Sequence, residues 1–221
     1  GHPIAFDNNF NNNQYYIDKP LKEKTLKKIA ILPGSRIGEI KKLMPVFIKA
    51  ALLLSKDYKS IRFYIVTLYE YENIIMEYFK NTNLNFYITS NHDERYNIYS
   101  KVDFALCASG TVTMELAKAS TSMLAVYKLN FITWYIVKAM IKVKTATIIN
   151  ILLKENIVPE LFQKDVNEFN IHRIIKDYLE NDNLNKIQIH KLNSAINKLK
   201  NGNNDPSYIA AKSVLSYINA S

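Results

Sequence analysis

A chain of 221 residues, 48% hydrophobic and 22% charged, is globular in composition and long enough to bury a real core. Its formal charge of +9 favours anionic partners, although a lysine excess in an Ile-, Asn-, Lys- and Tyr-rich chain also reads as a merely solvated basic surface. Five glycines argue against a barrel of many tight turns, the single Cys107 excludes an internal disulfide, and no apolar run is long enough to span a membrane.

The sequence opens on Gly1-His2-Pro3 with no initiator Met, as expected of a piece of something longer. Residues 5–26 are Asn- and Lys-rich with few apolar side chains, so 1–26 reads as a hinge or linker and 27–221 as the folded domain. Next comes Ile29 to Ile40, an apolar run that breaks at Pro33-Gly34, exposes Ser35 and Arg36 and then starts a helix. That is the layout of a buried parallel strand running into a phosphate-facing loop. Strands are predicted over 28–32, 61–66 and 84–89, with helices over 39–55, 70–80 and 93–100. From Val102 to Glu115 the layout repeats: a strand over 102–107 breaks at Ser109-Gly110-Thr111 ahead of a helix over 112–119. A strand over 123–127 and helices over 132–142, 167–180, 184–199 and 206–218 complete the pattern. Alternating strands and helices imply an α/β fold with one parallel sheet. Ligands bind beyond the carboxyl ends of such strands, so the two loops suggest a nucleotide or another phosphorylated ligand between them.

Arg36 can donate bidentate, charge-assisted hydrogen bonds to phosphate, or simply pair with Glu39 on the surface. Gly34 would let the backbone approach a ligand, and Ser35 adds a hydroxyl. Ser109, Gly110 and Thr111 expose amides that suit an anion, or serve only as a helix cap. Glu115, one turn beyond Thr111, can accept hydrogen bonds from the vicinal hydroxyls of a ribose, or only complement the helix dipole. Asp103, at a strand start, reads as structural, and Cys107 as a packing residue. His2, His92, His172 and His190 are scattered without metal-ligand spacing, and there is no CxxC or Walker loop. No metal and no cofactor are expected, and no strong general base stands out.

Residues 129–144 gather Phe131, Trp134, Tyr135, Met140 and Ile141 around Lys138 and Lys142, which share a helix face. The segment reads equally as an amphipathic helix lying on a membrane and as a core helix with snorkelling lysines. Farther on, Ile187, Leu192, Ile196 and Leu199 repeat at helical spacing and are expected to dock on the sheet or on a partner domain.

Taken together, these residues resemble the lipid-A-disaccharide synthase family. The matching pieces come in order: Gly1-His2-Pro3, then Leu32-Pro33-Gly34-Ser35-Arg36 with Glu39-Ile40 and Pro45, then Ser109-Gly110-Thr111 with Glu115. Tyr127-Lys128, Asn150-Ile151-Leu152, Val158-Pro159-Glu160-Leu161 with Gln163, and Ala210 to Leu215 follow. The likeness runs from the first residue to near the last.

The resemblance implies a GT-B glycosyltransferase of two Rossmann-like halves, of which this chain is the C-terminal, donor-binding half. Residues 1–26 then belong to the hinge from the other half, and 27–221 form the UDP-sugar-binding domain with its C-terminal helices. The implied reaction is an inverting, metal-free transfer of 2,3-diacylglucosamine from UDP-2,3-diacylglucosamine to 2,3-diacylglucosamine 1-phosphate. By the same carry-over, Arg36 is the catalytic candidate. Gly34, Ser35 and the Ser109–Thr111 loop join it at the diphosphate, Glu115 binds the ribose, and Asn150, Glu160 and Gln163 line the sugar side. The N-terminal half would supply the acceptor side and the base. The implied partners are the two acylated sugars, that half, a membrane surface and a second copy of the chain, with no nucleic acid. The implied location is cytoplasmic, on the inner face of the inner membrane of a Gram-negative bacterium. Two alternatives remain open: a non-catalytic UDP-sugar-binding remnant, and another GT-B UDP-sugar enzyme such as an epimerase.

Overall fold

The computed structural model describes residue 4 and residues 26–128, 145–200 and 206–218. Six strands form one sheet: β1 (Lys27–Leu32), β2 (Ile61–Val66), β3 (Phe86–Thr89), β4 (Phe104–Ala108), β5 (Met123–Tyr127) and β6 (Glu160–Phe162). Their order is β3-β2-β1-β4-β5-β6, and every neighbouring pair is parallel. Among the described residues eight α-helices accompany them: α1 (Ile37–Asp57), α2 (Glu72–Phe79), α3 (His92–Lys101), α4 (Val112–Lys118), α5 (Ile148–Leu153), α6 (Glu168–Glu180), α7 (Asp182–Lys200) and α8 (Pro206–Ile218). The order reverses between β1 and β4, so the loops that follow these two strands diverge to opposite sides and leave a crevice between them.

Both faces of the sheet are buried, which is why its central strands read as unbroken apolar runs. Ile29, Ile31, Phe63, Ile65, Phe104, Leu106, Leu124 and Val126 point to one side, where α1, α2 and α6 cover them. α1 can do this because Ile40, Leu43, Met44, Phe47, Ala51 and Leu54 recur at helical spacing and are all buried. Each large side chain enclosed in this way contributes about 1.5–3 kcal/mol. The other face carries small residues, Ala30, Ala105, Cys107 and Ala125, which meet large ones from the helices, such as Tyr99, Met114 and Leu192. Burial pushes the Cys107 thiol up to about 12, in keeping with a packing role.

Several boundaries differ from the sequence expectation. β4 starts at Phe104 because Asp103 is engaged with β1: its carboxylate accepts from the Lys28 amide (2.9 Å) and its own amide donates to the Lys28 carbonyl (2.8 Å). The helix expected over 70–80 is a single tight turn (Tyr69–Tyr71) followed by α2. α5 and β6 were not anticipated. On α7, Leu192 and Ile196 are buried as expected, but Ile187 is half exposed and Gln188 takes the inward place. The Gln188 amide, 2% exposed, accepts from Met123 N (2.7 Å) and donates to the carbonyls of Met123 and Ile157, tying α7 to the start of β5. The helix expected over 132–142 and nearly all of the 1–26 linker lie outside the described residues. Among the described residues no helix is long and apolar enough to cross a membrane.

Candidate functional site

β1 and β4 pair through Leu32 and Cys107, so their two loops leave the sheet side by side. Gly34 holds φ +108°, and a Cβ built on it would lie 2.6 Å from Glu39 Oε2 and 3.4 Å from the Ala108 Cβ. The first loop therefore turns tightly against both its own helix and the end of β4. Ser35 and Arg36 are exposed beyond it. Arg36 is the N-cap of α1 in extended conformation and makes no capping hydrogen bond. Its side chain is 82% exposed, with Nη1 3.6 Å from Glu39 Oε1. A surface pair of this kind holds its partners weakly, so the guanidinium is available to a stronger anion.

The second loop is equally open. The Ser109 amide donates to the Val126 carbonyl (3.1 Å), which anchors the loop to β5. Gly110 and Thr111 are exposed, and a Cβ placed on Gly110 would meet nothing within 4 Å. Thr111, the N-cap of α4, makes no side-chain cap, so the plain capping use of Ser-Gly-Thr is not realised. Thr113 instead donates its hydroxyl to the Gly110 carbonyl (2.9 Å).

Glu115 lies in the first turn of α4, 16% exposed, with Oε1 3.4 Å from Arg95 Nη2. Arg95 stands in the first turn of α3 and also reaches the Tyr96 hydroxyl and His92 Nε2, each at 2.8 Å. Because a guanidinium only donates, His92 Nε2 accepts in this contact and carries no proton there. Burial alone would lower the Arg95 pKa, but the Tyr96 hydroxyl and the Glu115 charge leave it raised.

The three sugar-side candidates fall at the β5–β6 end of the sheet. Glu160 accepts from the Tyr127 hydroxyl (3.3 Å), the Thr145 hydroxyl and the amides of Ala146 (3.0 Å) and Thr147 (2.6 Å), which secures the start of α5. The Tyr127 ring stacks on Phe162 with centroids 4.8 Å apart. Burial, with Glu160 beside it, raises the Tyr127 pKa, and Ser109 pulls the other way. Gln163 follows β6 directly with φ +48°. Asn150 departs from the expected lining role. Its amide is 1% exposed, donates to the Val158 carbonyl (2.8 Å) and accepts from the amides of Ile157 and Val158 (2.9 Å each). It shapes the α5–β6 connection and presents no open face to a ligand.

Arg95 and the Tyr127–Glu160 hydrogen bond escaped the sequence reading. A cation in the first turn of a helix, where the dipole disfavours it, was the one signal that pointed to Arg95. Among the described residues no group of three or more His, Cys, Asp or Glu could hold a metal ion.

A family model described as lipid-A-disaccharide synthetase matches residues 1–214. The chain belongs to the lipid-A-disaccharide synthetase family. The lipid-A-disaccharide synthase of Rickettsia prowazekii (strain Madrid E) is 34% identical over 220 residues, covering 96% of this chain and 56% of that protein. The chain thus spans about half the length of the curated relatives it matches. Among solved structures, the C-terminal domain of a group 1 glycosyl transferase from Francisella tularensis has TM-score 0.53 at 15% identity, covering 84% of this chain and 91% of that one. The S. aureus MnaA–UDP co-structure has TM-score 0.58 at 15% identity, covering 96% and 52%. These likenesses show the fold, a parallel Rossmann-like sheet with flanking helices of the kind found in the C-terminal domain of that glycosyl transferase.

Proposed function

We propose that this chain is the donor-binding half of a glycosyltransferase that moves 2,3-diacylglucosamine from its UDP derivative to the 6-hydroxyl of 2,3-diacylglucosamine 1-phosphate. The products are a β-1,6 disaccharide and UDP. The observation that carries the reading is the close approach of the Gly34 turn to the end of β4, which opens two exposed loops on one crevice. The family match and the UDP held by a protein of the same fold support it.

In this reading Arg36 and the amides around Gly34, Ser35, Ser109, Gly110 and Thr111 bind the diphosphate. They stabilise the charge that builds on the departing UDP, which is the main electrostatic task of the transfer. Glu115 accepts from the ribose hydroxyls. Gln163 and the Glu160–Tyr127 pair border the sugar, and Asn150 supports that border from within the fold. Deprotonation of the acceptor hydroxyl falls to a base on a separate N-terminal half. Acylated substrates and a charge of +9 favour work at an anionic membrane surface, with the enzyme peripheral on its cytoplasmic side.

Calorimetric titration with UDP, for the wild type and Arg36→Ala, tests the donor site. Loss of a charge-assisted contact of about 1.5–3 kcal/mol corresponds to roughly 10- to 150-fold weaker binding. Transferase activity should appear when the N-terminal half of a relative is co-expressed. A folded wild type that ignores UDP even with that half present would sink the reading.

A further inference from the structure

Arg95 stands where helix physics disfavours a cation, in the first turn of α3 beside Asp93 and Glu94. Its Nε is buried and has no hydrogen-bond partner among the described residues, an arrangement that costs the fold stability. Three groups hold the rest of the side chain. The Tyr96 hydroxyl and His92 Nε2 accept from Nη2, and the guanidinium carbon lies 4.8 Å from the centre of the Tyr96 ring. Among the described residues the carboxylate it meets is Glu115, on a different helix and 20 positions away in the chain. Both side chains are largely buried, 25% and 16% exposed, so the pair is shielded from water.

We infer that Arg95 is a positioning residue: its clamped guanidinium orients the Glu115 carboxylate that receives the ribose diol of the donor nucleotide. The inference rests on the proposal that Glu115 meets the ribose. A carboxylate offers about four acceptor sites on two oxygens, so pairing with a guanidinium and accepting from a diol are compatible. Arg95 touches no reacting atom in this account and acts only through Glu115.

The test uses this chain with UDP and with 2′,3′-dideoxy-UDP, which lacks the diol. Wild type, Arg95→Met, Arg95→Lys, Glu115→Gln and the Arg95→Met/Glu115→Gln double variant are titrated, and thermal unfolding verifies that each is folded. Wild type should prefer UDP by at least tenfold. Arg95→Met should lose about tenfold for UDP while staying within twofold for the dideoxy ligand, and Arg95→Lys should recover part of that loss. The double variant should bind UDP no more weakly than Glu115→Gln alone. Equal losses for both ligands in Arg95→Met and Arg95→Lys, or no loss for either, would overturn the inference while leaving the donor site standing. A wild type that binds the two ligands equally would instead overturn the ribose role of Glu115, and this inference with it. No UDP binding at all, with the N-terminal half of a relative present as well, would remove both together with the proposed function.

Discussion

Gly34 takes φ +108° at the point where β1 ends, a conformation that residues with a Cβ rarely adopt. Its neighbours add a second constraint, because an added methyl would press on Glu39 Oε2 and touch Ala108. The Glu39 side chain can move aside, but the backbone cannot relax without shifting Ser35 and Arg36. Gly34→Ala is therefore expected to destabilise the fold by roughly 1–3 kcal/mol and to weaken UDP binding in the same variant. Unfolding and titration together check this, and an unchanged midpoint with unchanged affinity would show that the turn is relaxed and separate from the ligand. Gly34 and Gly110 were readable from sequence because each breaks an apolar run where little else would. Asn150 and Arg95 were not. What Asn150 does depends on Ile157 and Val158 folding back over it, and what Arg95 does depends on α3 and α4 bringing it within 3.4 Å of Glu115. Neither relation leaves a local trace in the chain.

Elements hold together here through a few polar clamps as well as through apolar packing. The end of α1 is fastened to α6 by Asp57, whose carboxylate accepts from Lys176 Nζ (2.8 Å) and His172 Nε2 (2.9 Å). These hydrogen bonds, Lys176 first and then His172, hold the Asp57 carboxyl below its ordinary 3.8. A carboxyl whose folded value is depressed stabilises the fold above its unfolded value and loses that contribution as pH falls through the folded one. Asp57→Asn should therefore be less stable than wild type in urea unfolding at pH 6, and the gap should close below about pH 4. A gap of the same size at pH 2 would mean that the clamp does not act through charge. β1, β4 and β5 were legible because parallel strands buried on both faces read as apolar runs. β6, with three residues, and α5, with six, are shorter than any periodic pattern can resolve. Their positions are fixed instead by Glu160 on the amides of Ala146 and Thr147 and by the buried Asn150 amide.

At the scale of the whole molecule, the chain matches about half of its relatives' length, and α8 bears on what the other half does. Tyr208, Val214 and Leu215 on that helix are 63%, 59% and 57% exposed. With Ala211, also exposed, they occupy positions 208, 211, 214 and 215, which fall on one helical face. Apolar side chains gathered on one face of a terminal helix are costly to leave in water and mark an interaction surface. The proposed N-terminal half is the occupant that the family match supplies. Adding that half in trans should slow amide exchange along α8, and Val214→Glu with Leu215→Glu should prevent association while UDP affinity stays within twofold. The two readouts separate the functions, because the loops proposed to bind the diphosphate lie at the ends of β1 and β4 and contain no residue of α8. If association persisted in the double variant, the partner surface would lie elsewhere on the domain. If UDP binding fell with it, α8 would be part of what holds the donor crevice in shape, and the two halves of the enzyme would be coupled through that helix and not merely joined by it.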